Sequence, residues 1–570
     1  MRTRKWVVLA VEVAFLSLVI AAPARAGLHA KVVSPLVQVF PDAPPPGAER
    51  AQLEAARGEW EPFQVVVSGD AALSGVRARA STLVGGKGAR IDPPALYRVE
   101  YLQVTTPSSV EGHAGPWPDA LVPDVDRYVG ETRRAFPFAV PKGQARAIWV
   151  DVFVPARTPP GLYRGDLTLE AAGQPPVKIP VELTVHGFVL PATSSLPVTF
   201  GFAASAVARA HGHPQPLAGP ALAELVTRYN VAALRHRLSL HGGTFEPPPF
   251  VERNGRVELD FTAYDAEVGP FLDGTADRGG PAEGARFSTL DLRLPAKLEG
   301  AIRERYAKVM LAHLRDKGWL DRVFDYTFDE PADDKLKEAR AKSERVQKVA
   351  PGVPRLITKI LTPALTGAVD IWCPPVNYVD DKPGNSNAPP RADYDARLQK
   401  GEHLWWYQGC MSHGCEIVGG DYFTGWPSQV VDAPPVSHRI FEWLTWRYRI
   451  GGELYYNTVE AYARGLDPWR DQRLFGGNGD GTLFYPGDPQ VIGGKTPIPV
   501  ESIRMKLIRE GLEDYEYLRL HEQRFGREAT DAIARSIAPR TFKWQKDGAR
   551  LLAARRQLAA DLDRVAPLSP

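Results

Sequence analysis

A chain of 570 residues exceeds one ordinary domain, and its composition, 44% hydrophobic and 24% charged, is that of a globular protein with ample core. With 69 Lys and Arg against 67 Asp and Glu, the formal net charge is +2, and no basic block or basic–aromatic interleaving recommends a nucleic-acid partner. Cys373, Cys410 and Cys415 are too few for a disulfide framework; Cys410-Met411-Ser412-His413-Gly414-Cys415 matches no standard zinc spacing, so a short disulfide loop or plain packing is expected there and no metal.

The chain opens with Arg2, Arg4 and Lys5 ahead of an apolar run over 6–22 that only Glu12 interrupts, followed by Ala24-Arg25-Ala26. This pattern predicts a secretory signal peptide over 1–26 and a secreted or periplasmic product, an uncleaved anchor being the alternative. Cleavage would remove four bases and one acid, leaving a net charge of −1 and no later stretch able to span a bilayer.

From 27 to 190 the signals are β. Phe63, Val65 and Val67 share one strand face, and Ile148, Val150, Val152 and Val154 alternate with Trp149, Asp151 and Phe153. Dense turn punctuation, as at Pro159-Pro160-Gly161 and Pro175-Pro176, predicts an antiparallel β-sandwich. After the polar joint 191–197 the pattern becomes strands alternating with amphipathic helices, which predicts a (β/α)₈ barrel over 198–525. Its expected parts are a strand at 198–202, a helix at 220–228, a strand at 231–234 ending in Arg235-His236-Arg237, and a loop-rich stretch at 241–296. A helix from Ala301, a strand at 323–328 and a helix over 332–349 come next. Further strands are expected at 355–360, 369–373, 404–408 and 453–457, with a helix at 437–450 before the last. Residues 526–570 read as a charged, solvated helical tail.

The centre of this pattern is Val323-Phe324-Asp325-Tyr326-Thr327-Phe328-Asp329-Glu330-Pro331, a strand that runs into two adjacent carboxylates. In a parallel barrel that order puts Asp329 and Glu330 at the carboxyl end of a strand, where such folds carry catalytic groups. The competing reading is that one of them caps the following helix. Aromatic and amide residues end several strands: Trp405-Trp406-Tyr407-Gln408, Tyr455-Tyr456-Asn457, and Trp372 with Asn377 and Tyr378. Rings and amides around carboxylates suit a glycan, which nominates Trp405, Tyr407, Tyr455 and Asn457, with His236 and Arg237, as substrate-binding residues.

Together these segments resemble glycoside hydrolase family 123. The resemblance rests on Gly58-Glu59-Trp60-Glu61-Pro62-Phe63-Gln64, Pro159-Pro160-Gly161-Leu162-Tyr163-Arg164-Gly165, Asp329-Glu330-Pro331, Gly479-Asp480-Gly481-Thr482-Leu483-Phe484-Tyr485-Pro486-Gly487, and the helix running from Ile503 to Leu518. It implies a sandwich followed by a barrel, a glycan substrate, no cofactor, and an exo-acting β-N-acetylgalactosaminidase that retains configuration with help from the substrate's own acetamido group. By that carry-over Glu330 is the general acid/base and Asp329 orients the acetamido group. Competing readings are a non-catalytic glycan-binding envelope protein, and a glycosidase of other specificity whose nucleophile is a more distant acid such as Asp325 or Glu460.

Overall fold

A computed structural model describes residues 27–212, 215–384, 388–416 and 420–565. The expected signal peptide, 1–26, lies outside the described residues, as does the end of the expected tail, 566–570. No helix among the described residues is long and apolar enough to cross a membrane.

In the first half, strand Glu59–Gly69 pairs antiparallel with Leu28–Val33 on one side and Ala145–Val154 on the other. The alternating residues Phe63, Val65, Val67, Ile148, Val150, Val152 and Val154 pack against a second sheet of Ala51–Arg57, Val177–Val189, Gly161–Glu170, Leu73–Ala80 and Phe138–Val140. Each such side chain contributes roughly 1.5–3 kcal/mol by leaving water. The intervening residues do not face solvent. Trp149 and Asp151 are fully buried, because helix Ile503–Ile537 lies across the outer face of the sheet. The first sheet is therefore covered on both sides.

The sheet also extends beyond the expected boundary at 198. Strands Phe484–Gly487 and Ile498–Ser502 join it, Glu501 pairing with Leu121 on Gly115–Pro123. Nothing local to 484–502 reveals that partner, since a hairpin's own sequence reports its turn and not the edge on which it docks.

The middle of the chain forms two parallel sheets. One is ordered Leu240–His241, Val198–Gly201, Glu453–Tyr455, Trp406–Gln408; the other Leu290–Asp291, Val323–Phe328, Arg355–Ile357, Ile371–Trp372, His403–Leu404. The segment 403–408 belongs to both and joins them. Phe324, Leu356, Ile371, Cys373, Trp405, Tyr407 and Leu454, drawn from both sheets, form one buried cluster. On the other side Leu240–His241 and Leu290–Asp291 approach without a ladder, so hydrogen bonding leaves one seam of the expected barrel open.

Two expectations need correction, and one stretch left without elements is filled in. Residues 231–234 are not a strand but the end of helix Gly219–Arg235, whose Leu225, Val226, Tyr229, Ala232 and Ala233 are buried at helical spacing. The loop-rich stretch contains the hairpin Phe250–Arg253 and Arg256–Leu259, the helix Thr262–Asp273 and the two-residue strand Leu290–Asp291. The tail is not merely solvated: helix Gly548–Asp563 buries Leu551, Ala554, Leu558 and Leu562 together with Arg555.

Charges on these two C-terminal helices tie the halves together. Arg509 and Lys506 hold Asp151, and Arg504 holds Asp119 at 2.7 Å. Arg439 bonds Asp514 and Glu510, while Arg555 reaches Glu59, Glu61 and Asp514, each at 2.9 Å. Burial makes an unpaired charge prohibitive, so these groups persist only as a network of opposite charges.

Candidate active site

Strand Val323–Phe328 alternates as a strand must: Phe324 and Tyr326 face the cluster enclosed by the parallel strands, while Val323 packs among the flanking helices. At its carboxyl end Asp329 and Glu330 are both exposed. Glu330 has a φ of +38°, a left-handed conformation uncommon outside glycine, and strain of this kind gathers at functional sites. Its N–H donates to Thr358 Oγ1 at 2.8 Å, which holds the turn.

The same Thr358 hydroxyl donates to Asp329 Oδ1 at 2.9 Å, and the Tyr326 hydroxyl donates to that oxygen at 2.7 Å. Glu330 Oε1 accepts from the Tyr407 hydroxyl, which arrives from strand Trp406–Gln408, three strands away in the parallel order. Burial and the Glu330 charge push the Tyr407 phenol up, and burial and the Asp329 charge do the same to Tyr326; both stay protonated and donate. Among the described residues neither carboxylate is in an ion pair. Neither caps the next helix: the short turn Asp333–Lys335 and helix Leu336–Val349 begin without a side-chain cap. The capping reading is thus replaced by one in which hydroxyls from three strands position two adjacent, accessible carboxylates.

The surroundings are apolar below and polar at the rim. Cys373 is fully buried, its thiol pushed up by burial and by the Asp329 charge. The His241 ring stands 5.6 Å from Tyr326 with Nδ1 3.0 Å from Thr199 Oγ1, and burial lowers it to about 4, so it is neutral at neutral pH. Cys410 and Cys415 form a disulfide just beyond Tyr407, closing the loop that contains His413.

Of the other nominated residues only Tyr407 meets the acidic pair. Trp405 lies inside the buried cluster, 5.6 Å from Phe324 and against Gly452, where a Cβ would stand 2.4 Å from the indole. Tyr455 is buried and its hydroxyl accepts the Gly481 N–H at 2.8 Å. Asn457 spends Oδ1 on the Thr458 and Val459 amides and donates to Glu460 at 2.5 Å. Trp372 and Trp406 point into the surrounding core, donating to Glu402 and Thr445.

His236 and Arg237 precede the amino end of strand Leu240–His241, opposite the end that bears the carboxylates. His236 Nδ1 lies 2.7 Å from the Ala232 carbonyl, and burial lowers its ring to about 3; Arg237 donates to the Pro191 carbonyl at 2.9 Å and stands 3.6 Å from Glu513. Their nomination depended on the mistaken strand at 231–234, and both belong to the buried ionic interface.

Asp325 and Glu460 are also occupied elsewhere. Asp325 accepts from Thr327 at 2.6 Å and lines a cavity of about 740 Å³ with Arg303, Lys342 and Arg345, between helices Gly300–Asp316 and Leu336–Val349. Neither Asp329 nor Glu330 lines that cavity. Glu460 is buried and bound by Asn457 and by Arg464 at 2.7 Å. Sequence reasoning missed Tyr326 and Thr358. Tyr326 carried a signal, since strand alternation turns it to the same side as Phe324; Thr358 carried none beyond its place at the next strand's end.

Comparison with known proteins bears on this site. Two family models match the chain: "Glycoside hydrolase 123, catalytic domain" over residues 300–521, and "Glycoside hydrolase 123 N-terminal domain" over residues 41–171. The first spans Asp329, Glu330, Thr358 and Tyr407. Among solved structures, a family 123 glycoside hydrolase from Clostridium perfringens, studied for glycolipid glycan hydrolysis, superposes with a TM-score of 0.63 at 14% identity, covering 94% of this chain and 98% of that one. A GH5 xyloglucanase from Bacteroides ovatus is far more distant, with a TM-score of 0.26 at 9% identity over 82% of this chain and 98% of its own. No match was found among curated proteins.

Proposed function

The chain belongs to glycoside hydrolase family 123, and from that premise we propose that it is an exported exo-glycosidase removing terminal β-linked N-acetylgalactosamine from a glycan, with retention and with assistance from the substrate's acetamido group. Its eight parallel strand positions, counted with 403–408 as one, are read as a (β/α)₈ barrel with a single unladdered seam. Signal cleavage after Ala26 completes the reading.

The observation that carries it is the pairing of two neighbouring exposed carboxylates with different hydroxyl partners. Ordinary glycosidase pairs face one another across the scissile bond, about 5–5.5 Å apart in retaining enzymes and about 6.5–9.5 Å in inverting ones. Residues adjacent in sequence on one strand end are poorly disposed to straddle a sugar. Substrate assistance removes that demand, because the acetamido oxygen, already tethered near C1, attacks with the high effective concentration of an intramolecular nucleophile.

In this mechanism Glu330, steadied by Tyr407, protonates the glycosidic oxygen as the C1–O bond breaks and the acetamido oxygen bonds C1. Asp329, fixed by Tyr326 and Thr358, accepts the acetamide N–H and offsets the positive charge of the oxazolinium. Glu330 then takes a proton from water, whose oxygen attacks C1 and reopens the ring with net retention.

Glu330→Gln and Asp329→Asn are each expected to lower kcat on an aryl β-N-acetylgalactosaminide by about 10²-fold or more. Wild-type rates in either variant would overturn the assignment. Glycan binding by the wild type without hydrolysis would favour a binding protein, and a fluorosugar adduct on Asp325 or Glu460 would favour a covalent mechanism. Parallel assays on N-acetylglucosaminides and simple hexosides decide the sugar.

A further inference from the structure

The hairpin after the last parallel strand holds a residue that neither folding nor burial explains. Arg473–Leu474 pairs antiparallel with Gly477–Asn478, so Phe475 and Gly476 are the two central residues of its turn, with φ of +50° and +78°. Such turns demand the left-handed region at both positions and favour Asn, Asp or Gly there. A phenylalanine is strained in that conformation, and this one gains little from the core because it is 42% exposed.

The turn is nevertheless held firmly. Its tip presses on the disulfide-closed loop that follows Tyr407: a Cβ on Gly476 would fall 2.2 Å from the Glu416 nitrogen, and one on Gly477 would fall 2.6 Å from His413 Nε2. His413 Nε2 also lies 3.4 Å from the Phe475 carbonyl oxygen. The ring is flanked by Arg464, 5.6 Å from its centroid, and by Tyr456, nearly edge-on at 6.1 Å and 77°. Tyr456 immediately follows strand Glu453–Tyr455, whose neighbour in the sheet carries Tyr407, the partner of Glu330. The hairpin therefore rises in the sector of the mouth from which Glu330 is approached by its phenol, whereas the partners of Asp329 come from Val323–Phe328 and the end of Arg355–Ile357.

From this placement we infer that Phe475 is a rigid aromatic platform for the sugar ring of the leaving group. A pyranose offers a C–H face to an aromatic ring; a ring already locked in place loses little side-chain freedom on contact. Arg464, alongside, donates through Nε to Glu460, and its exposed guanidinium edge offers further N–H groups to the hydroxyls of that sugar. The assignment rests on the proposed glycosidase reaction and adds a specificity-determining residue to it.

The test compares a disaccharide bearing a terminal β-N-acetylgalactosamine with the corresponding glycosyl fluoride, whose leaving group has no ring. In Phe475→Asn the ratio of kcat/KM for the disaccharide to that for the fluoride is expected to fall about tenfold, through KM. Phe475→Trp is expected to restore it. Because Asn suits the turn, its melting temperature should equal or exceed that of the wild type. A lower melting temperature with equal losses on both substrates, or an unaltered ratio, overturns the platform. If the wild type cleaves neither substrate, the reaction is wrong and the platform is judged by calorimetric titration of the same disaccharide: weaker binding to Phe475→Asn than to wild type supports it, while equal or absent binding overturns it.

Discussion

Two regions of this molecule hold carboxylates in opposite ways. At the interface between the sandwich and helix Ile503–Ile537, Asp151, Asp119, Asp514 and Glu510 are fully enclosed and answered by guanidinium or ammonium groups. At the strand end, Asp329 and Glu330 are open to solvent, and among the described residues their side chains are answered by hydroxyls. The cation partners of the first group fix charge in place and leave nothing free to react. A hydroxyl orients a carboxylate without neutralising it, so the second group keeps its capacity to accept or release a proton. The kind of partner, more than the presence of the acid, separates a structural joint from a candidate site.

That contrast can be broken most forcefully at Arg439. Its guanidinium is fully buried between Asp514 and Glu510, and Arg439→Met leaves both acids without it, at a cost of about 3–5 kcal/mol in chemical denaturation. Stability within about 1 kcal/mol of wild type would mean that Arg555 beside Asp514 and Arg509 beside Glu510 suffice without it. The mouth should behave in reverse: Glu330→Gln loses the 10²-fold in kcat already described, equivalent to about 2.7 kcal/mol of transition-state stabilisation, yet unfolds at nearly the wild-type temperature.

Asp480 sharpens the comparison because it is enclosed without a full cation partner. Burial lifts its carboxyl to about 7, against the opposing pull of the Tyr455 and Tyr456 hydroxyls and Arg504. Between its ordinary value near 4 and about 7 the unfolded chain surrenders a proton that the folded chain keeps, so stability falls as pH rises through this window and is greatest below it. Melting temperatures taken across that range should decline less steeply in Asp480→Asn; parallel curves would deny Asp480 that role. The smallest expected change is the loss of the Cys410–Cys415 bridge. A loop this short contributes about 2 kcal/mol in the chain-entropy account, and replacing both cysteines with serine should lower the melting temperature modestly while raising KM for the disaccharide more than for the glycosyl fluoride.

How much of this was legible beforehand followed from the length of each periodic signal. Val323–Phe328 was bounded to the residue, since a six-residue run with five β-branched or aromatic positions stops at an acidic pair and a proline. Leu240–His241 and Leu290–Asp291 have two residues each, too few to display any period. The run Val231-Ala232-Ala233-Leu234 was ambiguous by itself, and only its register with Leu225 and Tyr229 identifies the helix. Least legible was the burial of charge in residues 503–518. Arg504, Lys506, Arg509, Glu510, Glu513 and Asp514 are all buried; the cause is the distant strands and helix that supply their partners, which no local window contains. For the same reason the site itself was half visible: the acids stood out, whereas Thr358 gains meaning only from the hydroxyl bond it makes across 29 positions.

The hairpin formed by Phe484–Gly487 and Ile498–Ser502 imposes an order on the molecule's birth. Until those strands are synthesised and delivered, Gly115–Pro123 exposes a bare edge with unsatisfied amides and carbonyls, the kind of surface that recruits other chains. A polypeptide emerging amino end first must carry that vulnerability through nearly four hundred further residues, so its opening third reaches maturity only when its closing sixth arrives.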